Sequence, residues 1–333
     1  MHCAFKKLLI IMHSEVMRTR FVISALGILI CHSYFGIIQE RITRGRYGNK
    51  INQDGMIGER FTCTLTLVAI ECLCNLIFAK VILTRQSQSS DDKTPSYYYA
   101  LAALSNLLSM VSSNMALRWI TFPTQVIAKS AKPIPVMLLG VLIGRKSYPM
   151  RKYFHTLLIV IGVTIFMYKV DDDSARSEST ILGQILILFS LFMNGISGVI
   201  QDRITSVGNP SAGAMMMWVN TWCTIILTIV ISMTGEWIHF LKFTSSHPDI
   251  IKDLFLISTT GAFGQFFIFT MISNFGSLPC SIVTTVRKFF AVLFSVMVFG
   301  NSLSRLQWFG ATLVFAGLFA DMFAKGRRKS KGE

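Results

Sequence analysis

Ten stretches of roughly twenty mostly apolar residues follow one another along this chain, near 21–39, 61–83, 97–117, 122–143, 153–168, 181–201, 212–234, 252–274, 278–299 and 306–324. About twenty residues is the length at which an α-helix crosses the hydrocarbon core of a bilayer. Within lipid every backbone N–H and C=O must find its partner inside the chain, and an open sheet edge leaves them bare. All ten stretches are therefore predicted to be helices. With 333 residues, 52% of them hydrophobic and 15% charged, and a mean hydropathy of +0.54, the chain has neither a water-soluble surface nor length for a separate catalytic domain. The longest links, 40–60, 86–93, 171–179 and 235–251, are too short to be domains. The apolar run from Leu8 to Met12 is too short for a cleaved signal, so the first span is expected to be an uncleaved anchor. Most of the seven cysteines lie in apolar runs and imply no disulfide framework.

An even number of spans puts both termini on one side of the membrane. Basic residues outside the spans modestly favour the cytosol for that side, although Arg41, Arg44, Arg46, Lys50 and Arg60 crowd the first loop of the opposite face. The chain also repeats itself. Gly36 to Thr43 reads GIIQERIT and Gly198 to Thr205 reads GVIQDRIT, with six of eight positions identical. Pro123, Lys132 and Gly144 in the fourth window recur as Pro279, Lys288 and Gly300 in the ninth. Five spans per copy is an odd number, so the second copy must be inverted in the membrane. The expected architecture is an all-α membrane protein of ten transmembrane helices. A first five-helix repeat covers 1–170, a second covers 171–324, and a cytosolic basic tail covers 325–333.

The segment FPTQVIAKSAKPIPVMLLGVLIG, Phe122 to Gly144, carries the chemistry. Lys129 and Lys132 are three residues apart on one helix face, about 10 to 15 Å in from the segment's start, near the bilayer midplane. Pro133 and Pro135 follow, remove two backbone donors and are expected to kink the helix. The ninth window repeats the theme with Arg287 and Lys288. A charge at the bilayer centre costs at least about 2.5 to 3.5 kcal/mol. Against four such cations the spans offer one deep carboxylate, Glu71. The missing negative charge is assigned to an anionic cargo, with the four cations as a phosphate clamp. Glu71 either pairs with a lysine of the empty site, couples a proton or bonds a neighbouring helix, and Gln125 is a further candidate contact for the cargo.

The repeated Gln-acid-Arg triplets, Gln39-Glu40-Arg41 and Gln201-Asp202-Arg203, end the first and sixth spans, which the inversion places on opposite faces. Glu40 and Arg41 in one, with Asp202 and Arg203 in the other, are candidates for gates closed by ion pairs; helix-end capping and interfacial anchoring are the competing roles. Gly140 to Ser147, GVLIGRKS, resembles a phosphate loop but has one residue too few between its glycines and follows no strand. Gly140 and Gly144 read instead as a close helix contact. The aromatics suit an interfacial belt better than base stacking, so no nucleic-acid partner is expected. No cofactor is expected either, and no set of nucleophile and base or of metal ligands points to an enzyme.

The segments Phe122 to Gly140 and Gly36 to Gly48, with the final lysines, resemble the nucleotide-sugar transporter family, solute carrier family 35, subfamily B, over essentially the whole chain. Ala131 stands where that family commonly has cysteine, which argues against a required thiol. The resemblance implies an antiporter of the endoplasmic reticulum membrane that imports UDP-galactose or UDP-glucose in exchange for a nucleoside monophosphate. ATP/ADP exchange is the runner-up, and four cations would suit a triphosphate as well as a diphosphate. A nucleotide-binding scaffold or sensor is a third reading. Lys329 and Lys331 fit the K-x-K-x-x form of a cytosolic retrieval signal read by coat machinery; the alternative is a basic tail meeting anionic lipid.

Overall fold

The computed structural model describes residues 2–51, 57–86, 94–116, 119, 125, 128–167, 181–299 and 304–330. Nearly all of this is helix: α1 (His2–Arg44), α2 (Thr64–Gln86), α3 (Ser96–Ala116), α4 (Pro133–Leu142), α5 (Met150–Met167), α6 (Ile181–Val207), α7 (Ala212–Thr234), α8 (Glu236–Ser246), α9 (Ile250–Phe275), α10 (Ser277–Phe299) and α11 (Arg305–Ser330). Nine of the ten apolar windows fall on these helices, α1 beginning at His2 rather than near residue 21 and α11 running on to Ser330. Among the described residues five helices are long and apolar enough to cross a bilayer: Glu15–Gln39, Thr64–Arg85, Ile181–Val207, Ala212–Thr234 and Ile250–Phe275. Large apolar side chains point outward on them, with Ile30 68%, Met233 83% and Phe255 74% exposed, while serines and amides lie inside. That inverted distribution belongs to a multi-pass membrane protein, whose exterior solvent is hydrocarbon.

Three features depart from the expected layout. The fourth window is not one continuous helix, since α4 begins only at Pro133, after a turn at Ala131 and Lys132. The first long link is not bare loop: it folds into the antiparallel hairpin of β1 (Arg46–Ile51) and β2 (Ile57–Arg60), with Tyr47 opposite Glu59. The link after α7 contains α8. Gly235, at φ +69°, closes α7 in the left-handed region and turns the chain straight into α8 without a linker.

The chain divides into two compact units, Met1–Ala100 with Val207–Phe275, and Leu101–Ser206 with Gly276–Glu333. Each draws helices from both halves of the sequence. In the first unit α1 runs along α9, α2 along α7, and α9 also touches α2 and α7. One end is closed by an aromatic cap, in which Phe61 meets Phe243 edge-on at 5.5 Å and Tyr47 of the hairpin meets Phe243 at 5.7 Å. In the second unit α4, α5, α10 and α11 share a core of Val136, Met137, Val163, Phe166, Phe289 and Val314. Here α5 and α11 approach backbone to backbone. A Cβ on Gly162 would lie 2.8 Å from the Val314 nitrogen and 2.9 Å from the Gly310 oxygen. Also in this unit, α3 and α6 are joined by serines, with Ser109 Oγ donating to the Ser190 carbonyl at 2.9 Å and Ser190 Oγ to the Ser109 carbonyl at 2.7 Å. In lipid such small polar contacts replace the hydrophobic drive.

Candidate functional site

The prolines of the second unit set the position of its cations. In an unbroken helix the N–H groups of residues 133 and 135 would bond the carbonyls of Lys129 and Ala131, and neither proline has one. The Lys132 nitrogen takes the Lys129 carbonyl instead at 3.4 Å, and the Ile134 nitrogen takes that of Ala131 at 2.9 Å. A tight turn thus re-satisfies the freed groups and places Lys129 and Lys132 at its two ends, both half-buried and repelling one another. Lys132 also interacts electrostatically with the buried Cys280 of α10. Arg287 follows Cys280 by seven residues, two turns on along the same face, and is itself half-buried. Lys129, Lys132 and Arg287 therefore stand on two adjoining elements. Lys288 follows Arg287 on α10, and its side chain lies outside the described residues. Gln125 is buried, its amide donating to the Ser113 hydroxyl at 2.9 Å and to the Ser113 carbonyl.

Asp202, near the end of α6, is buried and gathers three donors. Lys146 Nζ lies 2.7 Å from Oδ2, the Ser277 nitrogen donates to Oδ1 at 2.8 Å, and Ser277 Oγ donates to Oδ2 at 2.5 Å. The carboxylate thereby caps the first turn of α10 and ties it to the link between α4 and α5. Gly276, at φ +88°, makes room for it, since a Cβ there would lie 3.2 Å from Asp202 Oδ1. Tyr148 packs beside this group, and burial, reinforced by the charge of Asp202, pushes its phenol up to about 12. At Gly140, expected to make a close helix contact, a Cβ would meet Tyr148, with the hydroxyl oxygen 3.3 Å away. Arg203 is exposed.

In the first unit Arg41 Nε lies 3.5 Å from Asp253 Oδ2, the arginine 73% exposed and the aspartate 9%. Tyr47 donates to the same oxygen at 3.3 Å, and burial, then the Asp253 charge, pushes its phenol up to about 12. The Glu40 side chain lies outside the described residues, as do the side chain of Lys329 and the whole of Lys331. Deeper in this unit a polar chain crosses three helices. Asn75 of α2 donates to Asn220 of α7 at 3.4 Å, and Asn220 donates to Gln265 of α9 at 3.1 Å. Glu71 stands one turn before Asn75 on α2, with Oε1 buried.

Residues 20–325 match the model of the UAA transporter family. The chain belongs to that family. Its relatives include the solute carrier family 35 member B1 homolog of Drosophila melanogaster, 52% identical over 306 residues, covering 92% of this chain and 90% of the relative. Solute carrier family 35 member B1 of Bos taurus is 45% identical over 315 residues, covering 94% and 96%. A solved crystal structure superposes with a TM-score of 0.66 at 9% identity, over 93% of this chain and 98% of the other, and shares the fold alone. In this UAA transporter the functional candidates that sequence reasoning missed are Lys146, Ser277, Asn75, Asn220 and Gln265. Amides inside apolar windows were the available signal for the last three, because a side-chain amide in hydrocarbon needs a partner.

Proposed function

We propose that this chain is a nucleotide-sugar antiporter of the endoplasmic reticulum membrane. It carries UDP-galactose or UDP-glucose into the lumen in exchange for a nucleoside monophosphate by alternating access, on ten spans in two inverted five-helix repeats. The observation that carries the reading is the turn before α4, which holds Lys129 and Lys132 beside α10 with its Arg287. Two half-buried ammonium groups at the ends of one turn suit an anion, and a diphosphate presents several oxygens to such a pair. Lys288 completes the clamp. Membership of a transporter family and likeness to proteins named solute carrier family 35 member B1 support it. Glu40 and Arg41 at the end of α1, and Asp202 and Arg203 at the end of α6, are assigned to the two gates, and Lys329 with Lys331 to retrieval by coat machinery. ATP/ADP exchange is the second reading, favoured by the number of cations, because a triphosphate brings more negative charge than a diphosphate.

Counterflow tests this directly. Proteoliposomes loaded with UMP or ADP are offered labelled UDP-galactose, UDP-glucose and ATP in parallel. Uptake of a UDP-sugar driven by UMP is expected; ATP uptake driven only by ADP would select the second reading, and no uptake at all would leave a binding scaffold. Lys132→Ala should insert normally and take up nothing. Full uptake by that variant refutes the clamp.

A further inference from the structure

The polar chain across α2, α7 and α9 leaves two buried oxygens without a donor among the described residues. Asn75 uses its amide nitrogen on Asn220, and Asn220 uses its own on Gln265 and on the Met216 carbonyl, at 2.7 Å. Two oxygens are left over. Among the described residues Asn75 Oδ1 and Glu71 Oε1 are buried and have no hydrogen-bond partner. They belong to residues four apart on one helix, and so lie on the same face of α2 about one turn from each other.

We propose that Glu71 is a proton-binding site, held in this arrangement as the carboxylic acid with its O–H directed at Asn75 Oδ1. One proton serves both orphan oxygens together, whereas an ionised Glu71 leaves both acceptors without a donor and a buried charge without a counter-ion among the described residues. A metal ion explains the pair less well, because a hard cation takes six or more oxygens and only two are free here. No group of three or more metal-binding side chains occurs among the described residues. The titratable groups on these elements are Cys72, Cys74, Lys80 and Arg85 on α2, Cys223 on α7, hydrogen-bonded to Cys72, Asp253 and Lys252 at the start of α9, and Glu236, His239 and Lys242 on α8; Lys80 and Arg85 are exposed. Cys72 and Cys223 are hydrogen-bonded to one another, and Glu236 accepts from Thr66 at the start of α2. Asp253 is engaged by Tyr47 and Arg41. Among the described residues none of these pairs with Glu71.

The test is infrared spectroscopy of the purified full-length protein at neutral pH, comparing wild type with Glu71→Gln. The carbonyl stretch of a protonated carboxyl lies apart from the bands of an ionised carboxylate. The difference spectrum should show one protonated carboxyl lost, and its frequency should rise in Asn75→Leu, where the acceptor is gone. Glu71→Gln replaces the O–H with an N–H donor, so it should fold with wild-type thermal stability. Loss of a carboxylate band in place of the carboxyl band overturns the proposal. This readout needs no transport, so it stands or falls apart from the exchange reading. A second readout rests on that reading: exchange should lose the pH dependence that Glu71 confers in wild type, and an unaltered pH profile in Glu71→Gln would exclude a role for the proton in transport.

Discussion

Replacing Lys146 with Met should weaken the end of the second unit, by an amount that the geometry brackets. Asp202 is 5% exposed and Lys146 36% exposed, with 2.7 Å between them. Breaking a fully buried pair costs about 3–5 kcal/mol, whereas exposed pairs contribute about 0.2–1 kcal/mol. Lys146, about a third exposed, is partly screened by solvent, and in Lys146→Met the carboxylate keeps both donors of Ser277. The expected loss is about 1–2 kcal/mol. Asp202→Ala removes the ion pair and also uncaps α10, a further loss of about 1 kcal/mol, for about 2–3 kcal/mol together. The double variant should then be no less stable than Asp202→Ala alone, because among the described residues the Lys146 ammonium pairs with Asp202 alone.

The assay is chemical denaturation of the detergent-solubilised full chain, followed by circular dichroism, for wild type, both single variants and the double. A coupling of about 1–2 kcal/mol is expected. If the single effects add to within about 0.5 kcal/mol, the ion pair carries no energy and Asp202 is only the cap of α10. The same figure has a transport consequence, since about 1–2 kcal/mol shifts a two-state ratio roughly 5- to 30-fold. If the pair helps to hold one face closed, Lys146→Met should change exchange kinetics. Wild-type kinetics in that variant would leave the cap and remove the gate.

Two further outcomes follow from packing and titration. Gly162→Ala puts a Cβ within 2.8 Å of the Val314 backbone and must part α5 from α11, so it should lower thermal stability by about 1–3 kcal/mol; Gly36→Ala, with nothing within 4 Å, should not lower it. Tyr47 is held up at about 12 by burial and then by Asp253, above the value of about 10 for a free phenol. Its folded state therefore favours the neutral form. That contribution is complete below about pH 10 and is lost as pH rises to about 12, so the stability of wild type should fall more steeply over this window than that of Tyr47→Phe. Equal slopes in the two proteins would refute it.

The helices were legible because hydrocarbon admits few alternatives, and the interruption ahead of α4 was legible in outline because Pro133 and Pro135 cannot donate. The sequence could not say how far the turn would shorten the helix, since that depended on the Lys132 and Ile134 nitrogens reaching the freed carbonyls. The hairpin was hidden for a different reason. Its strands, RYGNKI and IGER, show neither the alternation nor the β-branched composition of a half-buried strand. What fixes the hairpin is non-local: Tyr47 packs on Phe243 and donates to Asp253, about two hundred residues away.

Partner choice was the least readable property. Apolar helix faces are chemically interchangeable in lipid, so nothing in the windows says that α1 lies along α9 or α2 along α7. The polar residues break that degeneracy. An Asn75 or an Asn220 buried alone costs several kcal/mol in hydrocarbon, so register and partner are set where the amides meet. Lys146 follows the same logic. In the sequence it stood inside GRKS, a fragment discounted as a phosphate loop. Its role came from Asp202, fifty-six residues further on, and only the fold brings an isolated basic residue in a short link to a buried carboxylate at the end of another helix. In a membrane chain the scarce polar residues are thus the specific part of the fold as well as of the transport site. Substitutions at Asn75, Asn220, Asp202 and Lys146 should therefore alter helix partnership and transport together, while lipid-facing positions such as Ile30 and Met233 should accept any apolar side chain.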